Sequence, residues 1–485
     1  MKPSSVIFGL GIALPVASPS LSLALAGLVL SAQGVMSATR LCAQVLPPRA
    51  CPGRGMTIAP VFSVHVAIHS EPPEIVIATL DSLRRQTWPV PDFEVIVIDN
   101  NTSDPALWRP VERYCASTGR PFRFFHRMNV RGAKAGALNI ALRRSRPDAT
   151  HVVTVDADYR VCRDFLRIAA DALAATGADY LQFPQAYVAE DSAGRGVERE
   201  LEEYFSFDAR QADGAKAVLL TGTLSVVAKA AIEAAGGWSG STATEDAELG
   251  VRLCARGFTG RYVDRVVGRG MLPLSLRDLE RQRYRWASGN LRTLLLHGGG
   301  LVSGRGGLSA SRRIAIGSQL AAWLNLSLIP AGLLIGSLLS REAHPALLAL
   351  CGISLFVSLI ENLARVSLHK GSLAMPGIAV PAMACRLALA PSAARATIDA
   401  LFSRSQGFAV TSKAVHRRRA LPLPVDQMVC FAFGLLVLPL AFAAGPPAVL
   451  GALVLLLPLP ASLFTARDLG RYQLSVLRSA PEAIR

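Results

Sequence analysis

The chain has 485 residues, 51% hydrophobic and 18% charged, with a formal net charge of +16. That length holds two domains, or one domain and a membrane region, and the charged fraction is low against the usual quarter. The basic excess does not point to nucleic acid: many basic residues, such as Arg417, Arg418 and Arg419, lie beside apolar spans, a placement that suits a cytoplasmic membrane flank facing anionic lipid.

Residues 1–35 are read as an N-terminal transmembrane segment. From Val6 to about Ala32 the chain is apolar and uncharged. Lys2 precedes the run as in a signal peptide, but the run is long for a signal core, so a retained helix is expected. Pro15 and Pro19 leave open a kink or a re-entrant start. Residues 36–60 are read as a basic linker, with Pro47, Pro48 and Gly53 between Arg40 and Met56.

Residues 61–300 read as a cytoplasmic domain. Strands are predicted at Ser63–Ile68, Phe93–Asp99, Phe122–His126 and His151–Asp156, and helices at Pro73–Gln86, Ala133–Arg144 and Arg163–Thr176. This alternation predicts an α/β fold with a parallel sheet covered on both faces, ligands binding beyond the carboxyl ends of the strands. Transmembrane helices are expected in 301–370 (runs Ile314–Leu339 and Ala346–Ile360) and 427–466 (Gln427–Ala444 and Ala448–Phe464). Between them, 371–426 is read as interfacial, and 467–485 as a cytoplasmic tail. One N-terminal span and four later ones put the domain, the interfacial stretch and the C-terminus on one side. The arginine clusters make that side cytoplasmic. The eight cysteines form no CxxC pair or zinc spacing and are read as reduced packing residues.

Four motifs carry chemistry. Glu94-Val95-Ile96-Val97-Ile98-Asp99 ends a buried strand in a carboxylate able to hydrogen-bond a base or ribose; the Thr102–Asp104 stretch beyond it reads as a polar turn that caps the next helix. Asp156-Ala157-Asp158 follows an apolar strand. Its alternate carboxylates suit one divalent cation, Mg²⁺ or Mn²⁺, which takes further oxygens from substrate phosphates and stabilises a diphosphate as leaving group. Two acids at a strand end also make an ordinary solvated turn. Thr244-Glu245-Asp246 precedes helical sequence, where a carboxylate is either a cap or the general base that removes an acceptor hydroxyl proton. In Gln282-Arg283-Tyr284-Arg285-Trp286, residues 282, 285 and 286 share a helix face. Arginine there would offset phosphate charge and tryptophan would stack on a sugar, or both would border a membrane.

In this order the pieces resemble the family 2 glycosyltransferases, specifically the processive, cellulose-synthase-like branch of the bacterial β-glucan synthase type. The likeness runs from about Ser63 to Gly289 and includes Lys134-Ala135-Gly136-Ala137-Leu138-Asn139, similar to the family's KAGALN segment. It implies a GT-A-like domain between transmembrane helices. Asp246 would be the base. Glu71, Asp99, Lys134, Asp156 and Asp158 would serve the donor and its nucleotide, with Asp156 and Asp158 on the metal. Thr221, Gly222, Glu245, Gln282, Arg285 and Trp286 would line the acceptor and diphosphate site. Phe408-Ala409-Val410-Thr411-Ser412-Lys413 resembles the FxVTxK gating loop of bacterial cellulose synthases, which implies that Phe408, Val410, Thr411 and Lys413 close over the nucleotide.

The resemblance implies an inverting enzyme of the inner membrane. It would move a sugar from a UDP-sugar, glucose from UDP-glucose, to a growing β-glycan and export the product. Membrane lipid and periplasmic or regulatory subunits would be its other partners. Two departures stand out: the family's acid before a Pro-rich turn is absent around Met271-Leu272-Pro273, and Ile98–Asp104 reads IDNNTSD rather than the commoner DDGS pattern. The competing readings are a non-processive transferase acting on a lipid acceptor and a non-catalytic transport component.

Overall fold

The computed structural model describes residues 2–45, 59–89, 92–188, 193–304, 307–340, 344–368, 376–402 and 423–479. Two helices come first, α1 (Pro3–Ala17) and α2 (Pro19–Val45). They break at Ser18, whose backbone is extended; Pro19 lacks an amide hydrogen and disfavours helix in the residue before it. The single span expected up to Ala32 is therefore a pair, and the linker expected from residue 36 begins as helix. The Ser4 amide donates to Asp399 Oδ1 at 2.7 Å, and the Lys2 ammonium lies over the Tyr284 ring. The N-terminus thus meets the same end of the membrane bundle as the central domain.

The central domain contains β1 (Phe62–Ile68), α3 (Pro73–Arg84), β2 (Phe93–Asn100), α4 (Pro105–Thr118), β3 (Phe122–Arg127), α5 (Ala133–Arg144) and β4 (His151–Thr154). Next come β5 (Arg160–Val161), α6 (Phe165–Thr176), β6 (Tyr180–Gln182), β7 (Ala186–Tyr187) and α7 (Arg195–Tyr204). A π-helical turn at Phe205–Ala209 leads to α8 (Arg210–Gly214), β8 (Ser225–Ala228), α9 (Lys229–Ala234), α10 (Glu245–Ala255), β9 (Gly260–Tyr262), β10 (Gly268–Gly270) and α11 (Leu276–Ser303).

The main sheet has the order β3-β2-β1-β4-β8-β6-β9. β1 to β4 pair in parallel, as expected, but β8 is antiparallel to both β4 and β6. Ser225 at the start of β8 pairs with Thr154 at the end of β4, so β8 begins at the ligand-binding edge and must run back from it. This reversal carries Thr221, Gly222 and Thr223 to the DxD motif. Apolar side chains of β1 pack on α3 and α6, while Ile96 and Ile98 of β2 pack on α5. That is the two-faced cover the hydrophobic alternation implied.

The remaining helices are α12 (Ala310–Ala321), α13 (Leu328–Leu339), α14 (Pro345–Leu368), α15 (Pro376–Phe402), α16 (Val425–Ala444), α17 (Pro446–Leu456) and α18 (Pro458–Ser479). Among the described residues four helical stretches are long and apolar enough to cross a membrane: Pro19–Ala43, Pro345–Val366, Val425–Ala444 and Pro446–Val476. The expected span Ile314–Leu339 is instead two helices. Asn325 interrupts it, accepting from the Ser327 amide at 2.8 Å while its own amide donates to Thr397 Oγ1 at 3.2 Å. α13 is a short apolar helix packed against α1. α15 packs against α7, α11 and α18, between the domain and the bundle.

Candidate active site

A cleft of about 350 Å³ opens at the carboxyl edge of the sheet, where β1, β2 and β4 end. At one end lie His69, Glu71, Asn100 and Asn101. The Glu71 carboxylate accepts from the His69 amide. Asn101 exchanges two hydrogen bonds with the backbone of Val130, at 2.9 and 2.8 Å, which fixes the loop leading into α5.

The middle of the cleft is charged. Lys134 Nζ reaches Asp156 Oδ1 at 2.5 Å and the Gly222 carbonyl at 2.9 Å. Burial opposes the lysine's charge, but Asp156, Glu245 and Asp246 outweigh it and hold the ammonium above its ordinary range. Asp158 is buried nearby and lines the same cleft.

The loop carrying Thr221 and Gly222 is held from behind by glutamines that sequence reasoning missed. Fully buried Gln182 accepts from the Thr221 amide at 2.9 Å and donates to the Thr223 carbonyl at 3.0 Å. Gln185 donates to the Thr221 carbonyl, and Thr223 Oγ1 accepts from the Asp156 amide at 3.0 Å. Strand sequence such as Tyr180–Gln182 does signal a buried residue, but not what its amide reaches. Gly222 has φ +84°, and a β-carbon there would stand 2.7 Å from Asp246 Oδ2, so only glycine admits the carboxylate to this position.

Thr244 is the N-cap of α10, with Glu245 and Asp246 in its first turn. Asp246 therefore stands inside the helix rather than at its cap, its Oδ1 accepting from the next amide, Ala247, at 2.8 Å. Burial and the neighbouring Glu245 push its carboxyl up to about 7, against the opposing pull of Lys134. A carboxyl poised there at neutral pH can take a proton and return it. The hydroxyls of Thr221 and Thr244 are buried with no hydrogen-bond partner, and both residues line the cleft. Buried unpaired hydroxyls are uncommon and would suit a ligand rich in hydroxyls of its own.

α11 closes the far end with Gln282, Arg285 and Trp286. Its Gly289 lies so close to α10 that a β-carbon would be 2.9 Å from the Thr244 amide nitrogen, which sets the two motifs in contact. Arg283, between the motif residues, turns the other way and is 2% exposed. It pairs with Glu200 of α7 and lies over the rings of Trp286 at 4.3 Å and Trp323 at 4.9 Å. Trp323 also stacks on Tyr204 at 5.5 Å. With Trp286 and Asp246 it lines a side pocket of about 50 Å³. Nothing in the sequence near Trp323 signals this; the break before α13 puts it there.

Of the residues singled out from sequence, Glu71, Lys134, Asp156, Asp158, Thr221, Gly222, Glu245, Asp246, Gln282, Arg285 and Trp286 all line the one cleft. Asp99 does not. It is 1% exposed, accepting from Thr102 Oγ1 and paired with His126 Nδ1, both at 2.5 Å. Burial raises its carboxyl while those two bonds oppose the rise. The β2 residue that lines the cleft is Asn100, one residue further. Phe408, Val410, Thr411 and Lys413 lie outside the described residues, as does Arg417–Arg419. No group of three or more His, Cys, Asp or Glu able to hold a metal occurs among the described residues. Asp156 and Asp158 therefore offer at most a partial, all-oxygen set, which fits a hard cation drawing its other ligands from phosphate and water.

Residues 63–236 match the family model "Glycosyl transferase family 2" and residues 151–368 match "Glycosyl transferase family group 2". Among curated proteins, glucomannan 4-beta-mannosyltransferase 2 of Arabidopsis thaliana is 30% identical over 243 residues, covering 48% of this chain and 45% of the relative. The UDP-forming cellulose synthase catalytic subunit of Xanthomonas axonopodis pv. citri is 27% identical over 237 residues, covering 47% of this chain and 31% of that protein. The matches span less than half of either relative. Among solved structures, a mannosyltransferase from Pyrobaculum calidifontis in complex with GDP-Man and Mn²⁺ superposes with a TM-score of 0.50 at 20% identity. It covers 76% of this chain and 98% of that one. The fold is GT-A-like, as the sequence implied. The relatives include both mannosyl- and glucan-forming enzymes, so they support the family without selecting the bacterial β-glucan branch.

Proposed function

We propose, from the match of residues 63–236 to a glycosyl transferase family 2 model and of residues 151–368 to a glycosyl transferase family group 2 model, that this chain is a membrane-bound inverting hexosyltransferase. It extends a β-linked glycan from a nucleoside diphosphate sugar. The observation that carries the reading is the placement of Asp246, a carboxyl raised toward neutrality, facing Lys134 and the DxD carboxylates across one cleft.

Asp246 removes the acceptor hydroxyl proton as that oxygen bonds to the anomeric carbon. The bond from that carbon to the diphosphate breaks, and the nucleoside diphosphate leaves with the electron pair. Lys134 and Arg285 face the leaving diphosphate and offset its charge. A magnesium or manganese ion held by Asp156 and Asp158 would add to that stabilisation. Trp286 supplies an apolar face for the acceptor sugar, and Thr221 and Thr244 supply hydroxyls to it. Asp99 acts on the nucleotide indirectly, by fixing the β2 end through Thr102 and His126.

The similar mannosyltransferases and cellulose synthase support glucose and mannose as the donor sugars to test, carried on UDP or GDP. Processive elongation with export, on the cytoplasmic face of the inner membrane, rests on the cellulose-synthase-like motifs. Purified protein incubated with labelled UDP-glucose or GDP-mannose should build a polymer cut by a β-glucanase or β-mannanase. Absence of transfer from every nucleotide sugar, with nucleotide bound, would reject the enzyme reading. A single sugar added to extracted lipid would replace elongation with lipid glycosylation.

A further inference from the structure

Arg283 sits between two cleft residues of α11 and touches both. Gln282 and Trp286 line the catalytic cleft, and Arg283 does not. The Nη1 of Arg283 donates to Gln282 Oε1 at 2.9 Å. The same guanidinium lies over the Trp286 ring at 4.3 Å, one helical turn on, and over the Trp323 ring at 4.9 Å. Those two rings are 5.1 Å apart and tilted by 59°.

The arginine is itself held from α7. Glu200 accepts from its Nε at 3.2 Å and pairs with its Nη2. Three residues on, Glu203 pairs with Arg386 of α15. At Gly196 a β-carbon would stand 2.7 Å from the Pro381 carbonyl oxygen, so α7 is pressed against α15 and presents Glu200 to α11 from a fixed position. One buried guanidinium thus joins a carboxylate, an amide oxygen and two indoles. A lysine in its place could pair with Glu200, but it lacks the planar fork needed to reach Gln282 and lie over both rings at once.

We infer that Arg283 is a positioning residue for the glycan acceptor: anchored by Glu200, it sets Gln282 and Trp286 in the orientation that the acceptor meets. The inference rests on the reading of Trp286 as the acceptor's apolar face. Side chains already ordered cost less to bind; without Arg283, Gln282 and Trp286 would have to order on the acceptor.

The test uses full-length protein in nanodiscs. It measures steady-state transfer from UDP-glucose to cellotetraose or from GDP-mannose to mannotetraose, beside calorimetric nucleotide binding. Arg283→Lys, and Arg283→Met combined with Glu200→Gln, should each raise the oligosaccharide KM by about tenfold, the loss expected when two side chains must order on binding. More of the loss should fall on KM than on kcat. Nucleotide affinity should hold, because Glu71 and Asn100 lie at the other end of the cleft. A pair with a structural role alone would lower the amount of active enzyme, and kcat with it, at unchanged KM; that result would overturn the inference. If the double variant fails to fold, Arg283→Lys decides. Trp286→Ala separates this inference from the reading beneath it. A raised KM in Trp286→Ala beside wild-type KM in the folded Arg283 variants removes the positioning role alone. An unchanged KM in Trp286→Ala removes the acceptor reading, and this inference with it.

Discussion

Asp246 and Gly222 are in contact: a single β-carbon added at Gly222 would stand 2.7 Å from Asp246 Oδ2 and 3.3 Å from Lys134 Nζ. The carboxyl proposed as the base and the lysine proposed to face the diphosphate thus share one glycine as their floor. Gly222→Ala should displace both. A misplacement on the order of 1 Å lowers turnover by roughly 10²-fold, with nucleotide affinity largely kept because Glu71 and Asn100 lie at the other end of the cleft. Steady-state rates beside calorimetric nucleotide binding check this; unchanged turnover would mean that Asp246 works from some other position.

Asp246→Asn separates base from structural residue. Loss of a general base lowers rate on the order of 10²–10⁴-fold, while nucleotide should still bind. The pH behaviour has a definite sign. The folded carboxyl is raised to about 7, so the fold favours the protonated form. Stability is lost as pH rises from the ordinary carboxyl range through about 7, and the base becomes competent over the same window. Asp246→Asn should therefore melt higher than wild type at about pH 8 and equally with it at about pH 4. A wild-type rate that does not rise across neutrality would count against the assignment.

Activity should vanish in excess EDTA and return with magnesium or manganese. Asp158→Asn should raise the metal concentration needed for half-maximal rate, because Asp158 and Asp156 are the cleft carboxylates proposed to hold the cation. Full turnover in chelator would remove the cation from the proposal.

Breaking the buried Arg283–Glu200 pair should cost more than its sequence position suggests. Arg283→Met leaves Glu200, 2% exposed, without its guanidinium. Removing one partner of a buried pair typically costs about 3–5 kcal/mol. Thermal denaturation should show that loss, and Arg283→Met with Glu200→Gln together should recover much of it.

The contact between Ser4 and Asp399 predicts topology. A cysteine at Lys2 should react with impermeant maleimide from the same side as one at Asp148 in the central domain. A cysteine at Gly445, in the turn between α16 and α17, should react from the other side. Labelling of Lys2→Cys together with Gly445→Cys would restore a single N-terminal span.

The sequence by itself was enough for the first strands and helices, because their hydrophobic periods are clean: α5 spans Ala133–Arg144 as read, and β1 to β4 start within a residue of expectation. It was enough to mark most of the residues that meet in the cleft too, since carboxylates at strand ends and at a helix start are local patterns that the parallel half of the sheet gathers at one edge. Three features were decided by tertiary structure. Asp99 reads like a ligand residue, yet its partner His126 comes from the neighbouring strand, and only sheet pairing shows the carboxylate already engaged. β8 runs against its neighbours because it starts where β4 ends, an arrangement that no local pattern encodes. The apolar run from Ile314 to Leu339 looks continuous, yet Asn325 can break it because Thr397, more than seventy residues away in sequence, supplies the hydrogen bond. Hydropathy averages over such a residue; the folded chain satisfies it, and in doing so swings Trp323 against Trp286 and Arg283 of α11.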